Sequence, residues 1–391
     1  MTGPLNGVRV IDLTTVISGP LATMALGDQG ADIIKIEQPN GGDFSRHVAT
    51  RRAGFSASFL NNNRNKRSVT LDLKTQDGLS AVQRMVAQSD VFIQNFRPGV
   101  AERLGLGYDA LSALNPKLIY VSIAGFGFTG PLAQNPVYDP LIQAISALTT
   151  VQAGSDEDRP RLVRTILPDK LTGVQTSQAI AAALFARERS GKGQHVQVSM
   201  LDVIVSFLWS SDMNGHTFVG DELEREEAQS YIDLIYKVTD GFISIAVMQD
   251  KQWRGFTTAV ERQDLLEDAR FATPELREIN RDARLEAIQE VVSGYNISTL
   301  IKRLDAENVP NAPVLSRSQM REHPQVHANG IVVESLHPIA GMLRQARHPS
   351  NFSETPVSIR RPAPSLGQHT DEVLAEFGIA LQGGTTEGST D

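Results

Sequence analysis

Val8-Arg-Val-Ile-Asp-Leu13 and Asp32-Ile-Ile-Lys-Ile-Glu37 decide the fold class of this 391-residue chain. Both are short runs rich in β-branched residues, and the segment between them, about Leu21 to Gly27, has the composition of a helix. Val91–Gln94 and Leu118-Ile-Tyr-Val-Ser-Ile123 repeat the pattern after helical stretches at about Gln76–Gln88 and Gly99–Asn115. Strands that alternate with helices imply βαβ units around a mainly parallel sheet. A further helix is expected over Thr172–Arg189, with Val174, Ile180, Ala181, Leu184 and Phe185 read as its core stripe, followed by a strand at Gln194–Met200.

The chain is long for a single core, so two domains are expected. Composition turns acidic and polar over Gly215–Gln229, which suits a linker or a solvated helix face. Beyond it, Gly241–Met248 reads as a strand, and Asp264–Asp268, Glu275–Ser293 and Ser298–Asn308 read as charged helices of a smaller α+β domain. A last helix is expected at Leu366–Phe377. The expected layout is a large domain over 1–205, a linker over 206–225, a small domain over 226–325, a linker over 326–335, the rest of the large domain over 336–381, and a disordered tail at 382–391.

Composition narrows the chemistry. Zero cysteines exclude thiol catalysis, disulfides and cysteine-based metal sites. A net charge of −8 disfavours nucleic acid as a partner. No apolar run is long enough for a bilayer, and the opening residues lack the layout of a secretory signal, so a cytoplasmic enzyme is expected. Gly125-Phe-Gly-Phe-Thr-Gly130 matches G-x-G-x-x-G, but Pro131 follows at once and no acidic residue ends a strand about twenty positions on, as a dinucleotide site requires. His323-Pro-Gln-Val-His327 places two histidines four apart, yet no glutamate completes a metal motif, and a solvated turn fits better.

Two features remain. Asp169, in Thr165-Ile-Leu-Pro-Asp-Lys-Leu-Thr-Gly173, precedes an alanine-rich helix and reads either as a helix cap or as a carboxylate nucleophile. The cations Arg64, Lys66, Arg67, Lys74, Arg97 and Arg103 cluster in an otherwise acidic chain, and such a patch could oppose the phosphates of a nucleotide-bearing ligand.

Ordered segments along nearly the whole chain resemble the class III CoA-transferases, the family of formyl-CoA transferase, carnitine CoA-transferase and α-methylacyl-CoA racemase. They include Leu5–Leu13, Val16-Ile-Ser-Gly-Pro20, Gly30–Glu37, Asn65–Lys74, Asn95-Phe-Arg-Pro-Gly99, Arg103-Leu-Gly105, Tyr138-Asp139, Gly191-Lys-Gly-Gln194 and Leu366–Leu374. The resemblance implies a Rossmann-like large domain built from both chain ends, a small middle domain and an interlocked homodimer. It implies that Asp169 is the catalytic aspartate, acting on acyl-CoA and a small carboxylic acid, with no permanently bound cofactor. It further implies contacts to CoA or its acyl end at Val16, Leu71, Lys74, Asn95, Phe96, Arg97, Arg103, Leu104, Tyr138, Asp139 and Met200. Racemases of the family have His-Asp where this chain has Tyr138-Asp139, and a phenol with a pKa of about 10 is a poor acid/base group at neutral pH, which favours transfer over epimerisation. The glycine-rich loop of formyl-CoA transferase has no counterpart between Asp212 and Asp264, which disfavours formate–oxalate exchange.

Overall fold

The computed structural model describes residues 3–221 and 234–381. Part of the acidic stretch at 215–229 and the whole tail at 382–391 lie outside the described residues. The chain divides into two compact units, Met1–Gln229 with Gly330–Asp391, and Ser230–Asn329.

The first unit is built on six parallel strands, β1 (Arg9–Asp12), β2 (Asp32–Glu37), β3 (Lys66–Thr70), β4 (Val91–Gln94), β5 (Ile119–Ala124) and β6 (Gln194–Ser199), in the order β3-β2-β1-β4-β5-β6. Alternate side chains of each inner strand enter different cores. Ile11, Ile34, Phe92 and Tyr120 face one cluster, and Val10, Ile33, Val91 and Ile119 face the other. Helix α1 (Ser18–Asp28) supplies Leu26 to the second cluster. Helix α2 (Gln76–Val86) supplies Ala81, Val82 and Met85 to the first. Further along come α3 (Asp139–Ile145), α4 (Leu167–Ser190) and α5 (Met200–Trp209). Ile180 and Leu184 of α4 join α1 on its face of the sheet, while Val373 and Leu374 of α6 (Thr370–Glu376) join α2 on the other. Burial on both faces is why the inner strands read as nearly continuous apolar runs. It also makes helix α6 part of a core whose first member is Ile11.

Several elements differ from expectation. Strand β3 carries Lys66-Arg67 and does not read as a core strand, yet Lys66 is fully buried. The expected helix over 99–115 is two short helices, Val100–Arg103 and Tyr108–Leu114, because Gly105 adopts a left-handed φ of 70° between them. The last helix starts at Thr370. In α4 the expected core stripe merges two faces. Val174 and Phe185 are eleven residues apart, about three turns, and share a face that is 58% and 60% exposed, while Ile180 and Leu184 point inward. The segment 326–335, expected as a linker, holds the end of helix Pro324–Asn329 and the start of the strand Val332–His337.

The second unit is an antiparallel sheet of β7 (Ile235–Val238), β8 (Gly241–Ile245) and β9 (Asn311–Pro313), of which only β8 was legible as a strand. It packs with Trp253, Phe256, Phe271, Ile288, Leu300 and Leu304 of its helices. The expected helix over 275–293 is interrupted at Asn280. His323 accepts the Gln325 N–H at 3.2 Å and so ties the backbone of the next turn. Back in the first unit, β10 (Val332–His337) and β11 (Gly341–Ala346) pair antiparallel. Among the described residues no helix is long and apolar enough to cross a membrane.

Candidate active site

The sheet order reverses between β1 and β4, where neighbouring connections depart in opposite directions. In open parallel sheets this switch point leaves a crevice at the carboxyl ends of the strands. Here the loop after β1 and the loop after β4 are tied across it. Asn95 accepts the Thr15 N–H at 3.0 Å and donates to the Thr15 carbonyl at 2.9 Å. Asp43 accepts the Val16 N–H at 3.1 Å, and buried Lys35 reaches the Thr14 carbonyl at 2.7 Å and Asp43 at 2.9 Å. These anchors hold Val16 at a φ of 73°, a conformation costly for a β-branched residue that persists only where its surroundings enforce it. The enforced turn delivers Ser18 to the first position of α1.

Asp169 arrives on α4. The helix begins at Leu167, so Asp169 lies inside its first turn, and the expected cap role does not apply. Ile166 makes no side-chain cap, which leaves the first amides of α4 without intrahelical partners. Asp139, 3% exposed at the start of α3, accepts the Asp169 N–H with one oxygen at 3.2 Å. Its other oxygen accepts from Gln143 Nε2 at 2.6 Å, and Gln143 in turn accepts the Val163 N–H at 2.9 Å. Asp139 is thus pinned by its own helix and pins the helix that carries Asp169. The Ser18 hydroxyl donates to Asp169 Oδ1. Close approach of α4 to α1 depends on Gly173, where a Cβ would stand 2.7 Å from the Ser18 carbonyl oxygen. Gly125 does the same for the strand end, since a Cβ there would meet Val137 at 2.2 Å and displace the segment leading to Tyr138 and Asp139. Burial pushes the Asp169 carboxyl above its ordinary 3.8, and the nearby Asp139 charge adds to this, against the donors of Ser18.

A cleft of about 250 Å³ brings together Val16, Asn95, Arg97, Tyr138, Asp139, Asp169 and Met200, with Ser18 and Gly125 in its wall. Tyr138 is 70% exposed. A larger hollow of about 1040 Å³ along Arg159–Arg164 contains none of the residues expected at the site.

Five expected contacts fall outside the cleft. Leu71 is 3% exposed in the sheet core, and Phe96 and Leu104 pack against that cluster, so their side chains are spent on packing. Lys74 and Arg103 lie on the segments that follow β3 and β4, at the same sheet edge, with exposed side chains. The expected cation patch is halved. Arg64 pairs with Asp28 at 2.6 Å, Lys66 with Asp12 at 3.1 Å, and Arg67 with Asp32 at 2.5 Å and Glu376 at 2.6 Å. These three pair with carboxylates of the fold, whereas Lys74, Arg97 and Arg103 have exposed side chains. Of the glycine run 125–130, only Gly125 borders the cleft.

Ser18, Gln143, Asp43 and Lys35 were not singled out from sequence. A serine two residues before a proline reads as an ordinary helix start, and nothing local reveals that its hydroxyl meets a residue 151 positions away.

The family model for CoA-transferase family III matches residues 5–370. The chain is 35% identical to a succinate–glutarate CoA-transferase of Agrobacterium fabrum, with 96% of each protein covered. It is 34% identical to an acetyl-CoA:oxalate CoA-transferase of Acetobacter aceti, again covering 96% of each. The crystal structure of a CAIB/BAIF family protein from Brucella suis superposes with a TM-score of 0.85 at 32% identity, over 96% of this chain and 100% of that one.

Proposed function

The chain belongs to CoA-transferase family III and is a CoA-transferase; from that premise we propose that it moves CoA from an acyl-CoA donor to a carboxylate acceptor through an aspartyl-CoA thioester on Asp169. The observation that carries this reading is the placement of the Asp169 carboxylate, half-buried at the switch-point cleft, oriented by Ser18 and supported by Asp139. Asp169 Oδ2 attacks the thioester carbonyl of the donor. The C–S bond breaks and CoA thiolate leaves a mixed anhydride. The thiolate then attacks the Asp169 carbonyl carbon and expels the donor acid, giving the aspartyl thioester. The acceptor carboxylate attacks that thioester, and the released thiolate takes the acceptor's acyl group from the second anhydride. Each step keeps the acyl group activated. Arg97 in the cleft wall, with Lys74 and Arg103 at the same sheet edge, supplies charge for the phosphates of CoA. Val16, Asn95, Tyr138 and Met200 would line the acyl and pantetheine path, and Leu71, Phe96 and Leu104 would act through their backbone. The relatives named above are named for succinate, glutarate and oxalate, which supports a short dicarboxylate among the acceptors.

Incubation with acyl-CoA followed by hydroxylamine should place a hydroxamate on the peptide that contains Asp169. Its absence, with transfer intact, would remove the covalent route. The nucleophile must be ionised, so the acid limb of kcat/KM should lie above pH 3.8, with activity rising as pH rises through the elevated Asp169 pKa. A limb at or below 3.8 would place a different ionisation in control.

We also propose the interlocked homodimer. Val174 and Phe185 on α4 and Val205, Phe207 and Trp209 on α5 are exposed, beside the edge strand β6, and such apolar faces call for a covering partner. Light scattering should give about twice 42.6 kDa. An active species at 42.6 kDa would overturn the dimer.

A further inference from the structure

We propose that Ser18 is a catalytic residue whose hydroxyl, with its own amide N–H, forms the oxyanion site for the two steps in which the Asp169 carbonyl carbon is itself attacked. The inference rests on the aspartyl-thioester reading and adds to it the group that stabilises its charge.

In the mixed anhydride, Oδ2 bridges the two acyl groups and Oδ1 is the remaining carbonyl oxygen of Asp169. When CoA thiolate attacks Cγ, a C–S bond forms, the Cγ–Oδ2 bond breaks, and the electron pair leaves on the donor carboxylate. When the acceptor carboxylate attacks the thioester, a C–O bond forms, the C–S bond breaks, and the pair leaves on sulfur. Both pass through a tetrahedral carbon with negative charge on Oδ1. No proton is transferred, so the oxygen must be stabilised by donors already in place. Preorganised donors of this kind act most strongly where water is excluded.

Three independent features put Ser18 in that role. Its hydroxyl already donates to Oδ1, leaving Oδ2 for attack on the donor. Its amide belongs to the first residue of an eleven-residue helix whose amino end favours negative charge, and it acts on the Asp169 carboxylate in the same direction as the hydroxyl. Finally, Ser18 is buried and immobilised, fixed on one side by the Val16 turn and on the other by contact with Gly173 of α4. Among the described residues, the hydrogen-bond donors to the Asp169 carboxylate come from Ser18 and none from the glycine run 125–130.

The test is a comparison of Ser18→Ala and Ser18→Thr in the full-length enzyme, with acyl-CoA donor and a carboxylate acceptor. In Ser18→Ala, kcat and the rate of donor-acid release in a single turnover should fall about 10²–10³-fold, as for loss of one oxyanion donor. The acyl-CoA KM should change little, and the acid limb of kcat/KM should move to higher pH, because the hydroxyl no longer favours the Asp169 anion next to Asp139. Ser18→Thr, which keeps the hydroxyl, should recover most of kcat. Undiminished kcat in Ser18→Ala overturns the proposal, as does an equal loss in both variants with a lowered unfolding midpoint. Failure of the underlying route is separately visible, since the wild type would then give no hydroxamate on Asp169.

Discussion

Asp169→Asn should reduce CoA transfer by several orders of magnitude while leaving the fold intact. The amide is nearly isosteric, and its backbone N–H keeps the bond to Asp139 that secures the first turn of α4. The carboxamide oxygen can still accept from Ser18. On the proposed route what is lost is the nucleophile, because a neutral amide cannot form the anhydride. Catalysis that depends on a covalent intermediate falls back on proximity alone when the attacking atom is removed, and losses of about 10⁴-fold or more are typical for such groups. Single-turnover release of donor acid and steady-state transfer should fall together, with acyl-CoA binding retained in a direct binding measurement. Substantial residual transfer would show that the acceptor attacks the donor thioester directly.

The largest expected effect on stability belongs to Lys66. Its ammonium is fully buried between Asp12 at 3.1 Å, the Pro20 carbonyl at 2.9 Å and Asn63 at 2.9 Å. Burial pulls the Lys66 pKa down to about 8, against the pull of Asp12, so the group still carries charge at neutral pH. Burial also pushes Asp12 up, but Lys66, Lys35 and the hydroxyls of Thr14 and Thr23 outweigh it and hold the carboxyl at about 2. Lys66→Met removes one partner and leaves Asp12 charged and buried, a change that costs about 3–5 kcal/mol. Asp12→Leu combined with Lys66→Met should cost less than the sum of the two single changes, because no lone charge remains. Urea unfolding of the three variants checks this, and additive losses would contradict a coupled pair.

The same pair sets a pH window. A carboxyl at about 2 in the fold and 3.8 as its ordinary value contributes stability that is complete above 3.8 and is lost as pH falls through 2. Glu37 and Asp43, also held below their ordinary values by Arg46 and Lys35 despite burial, act in the same direction. Lys66→Met lets Asp12 titrate higher, so acid unfolding should begin at a higher pH than in the wild type.

This buried network also explains one limit of the sequence. Lys66-Arg67-Ser68-Val69-Thr70 has no apolar pattern that announces a core strand, and its charges read as part of a cation patch for the phosphates of a ligand. It forms a strand because Asp12, Asp32 and Glu376, distant in the chain, neutralise those charges on folding. Pairing of that kind leaves no local periodicity. The fold class, by contrast, was legible because the inner strands are apolar on both faces and the segments between them are helical, signals carried within about ten residues. The segmentation of α4 into a core face and an exposed face shows the boundary between the two regimes. Helical spacing fixed that Val174 and Phe185 lie together, and only packing decided that they face outward.

At the site, the absence of cysteine and of a recognisable serine or metal motif left Asp169 open between a helix cap and a carboxylate nucleophile, and the family resemblance is what implied the second. Its partners were decided by tertiary structure. Ser18 and Asp139 reach Asp169 from 151 and 30 positions away because the parallel sheet brings its carboxyl-end loops to one edge. Gly173 and Gly125 then let the elements close the remaining distance. Local composition determines which segments become strands and helices. Which side chains meet across the switch point depends on strand order, and strand order is set by burial of both sheet faces at once, a property of the whole chain rather than of any one segment.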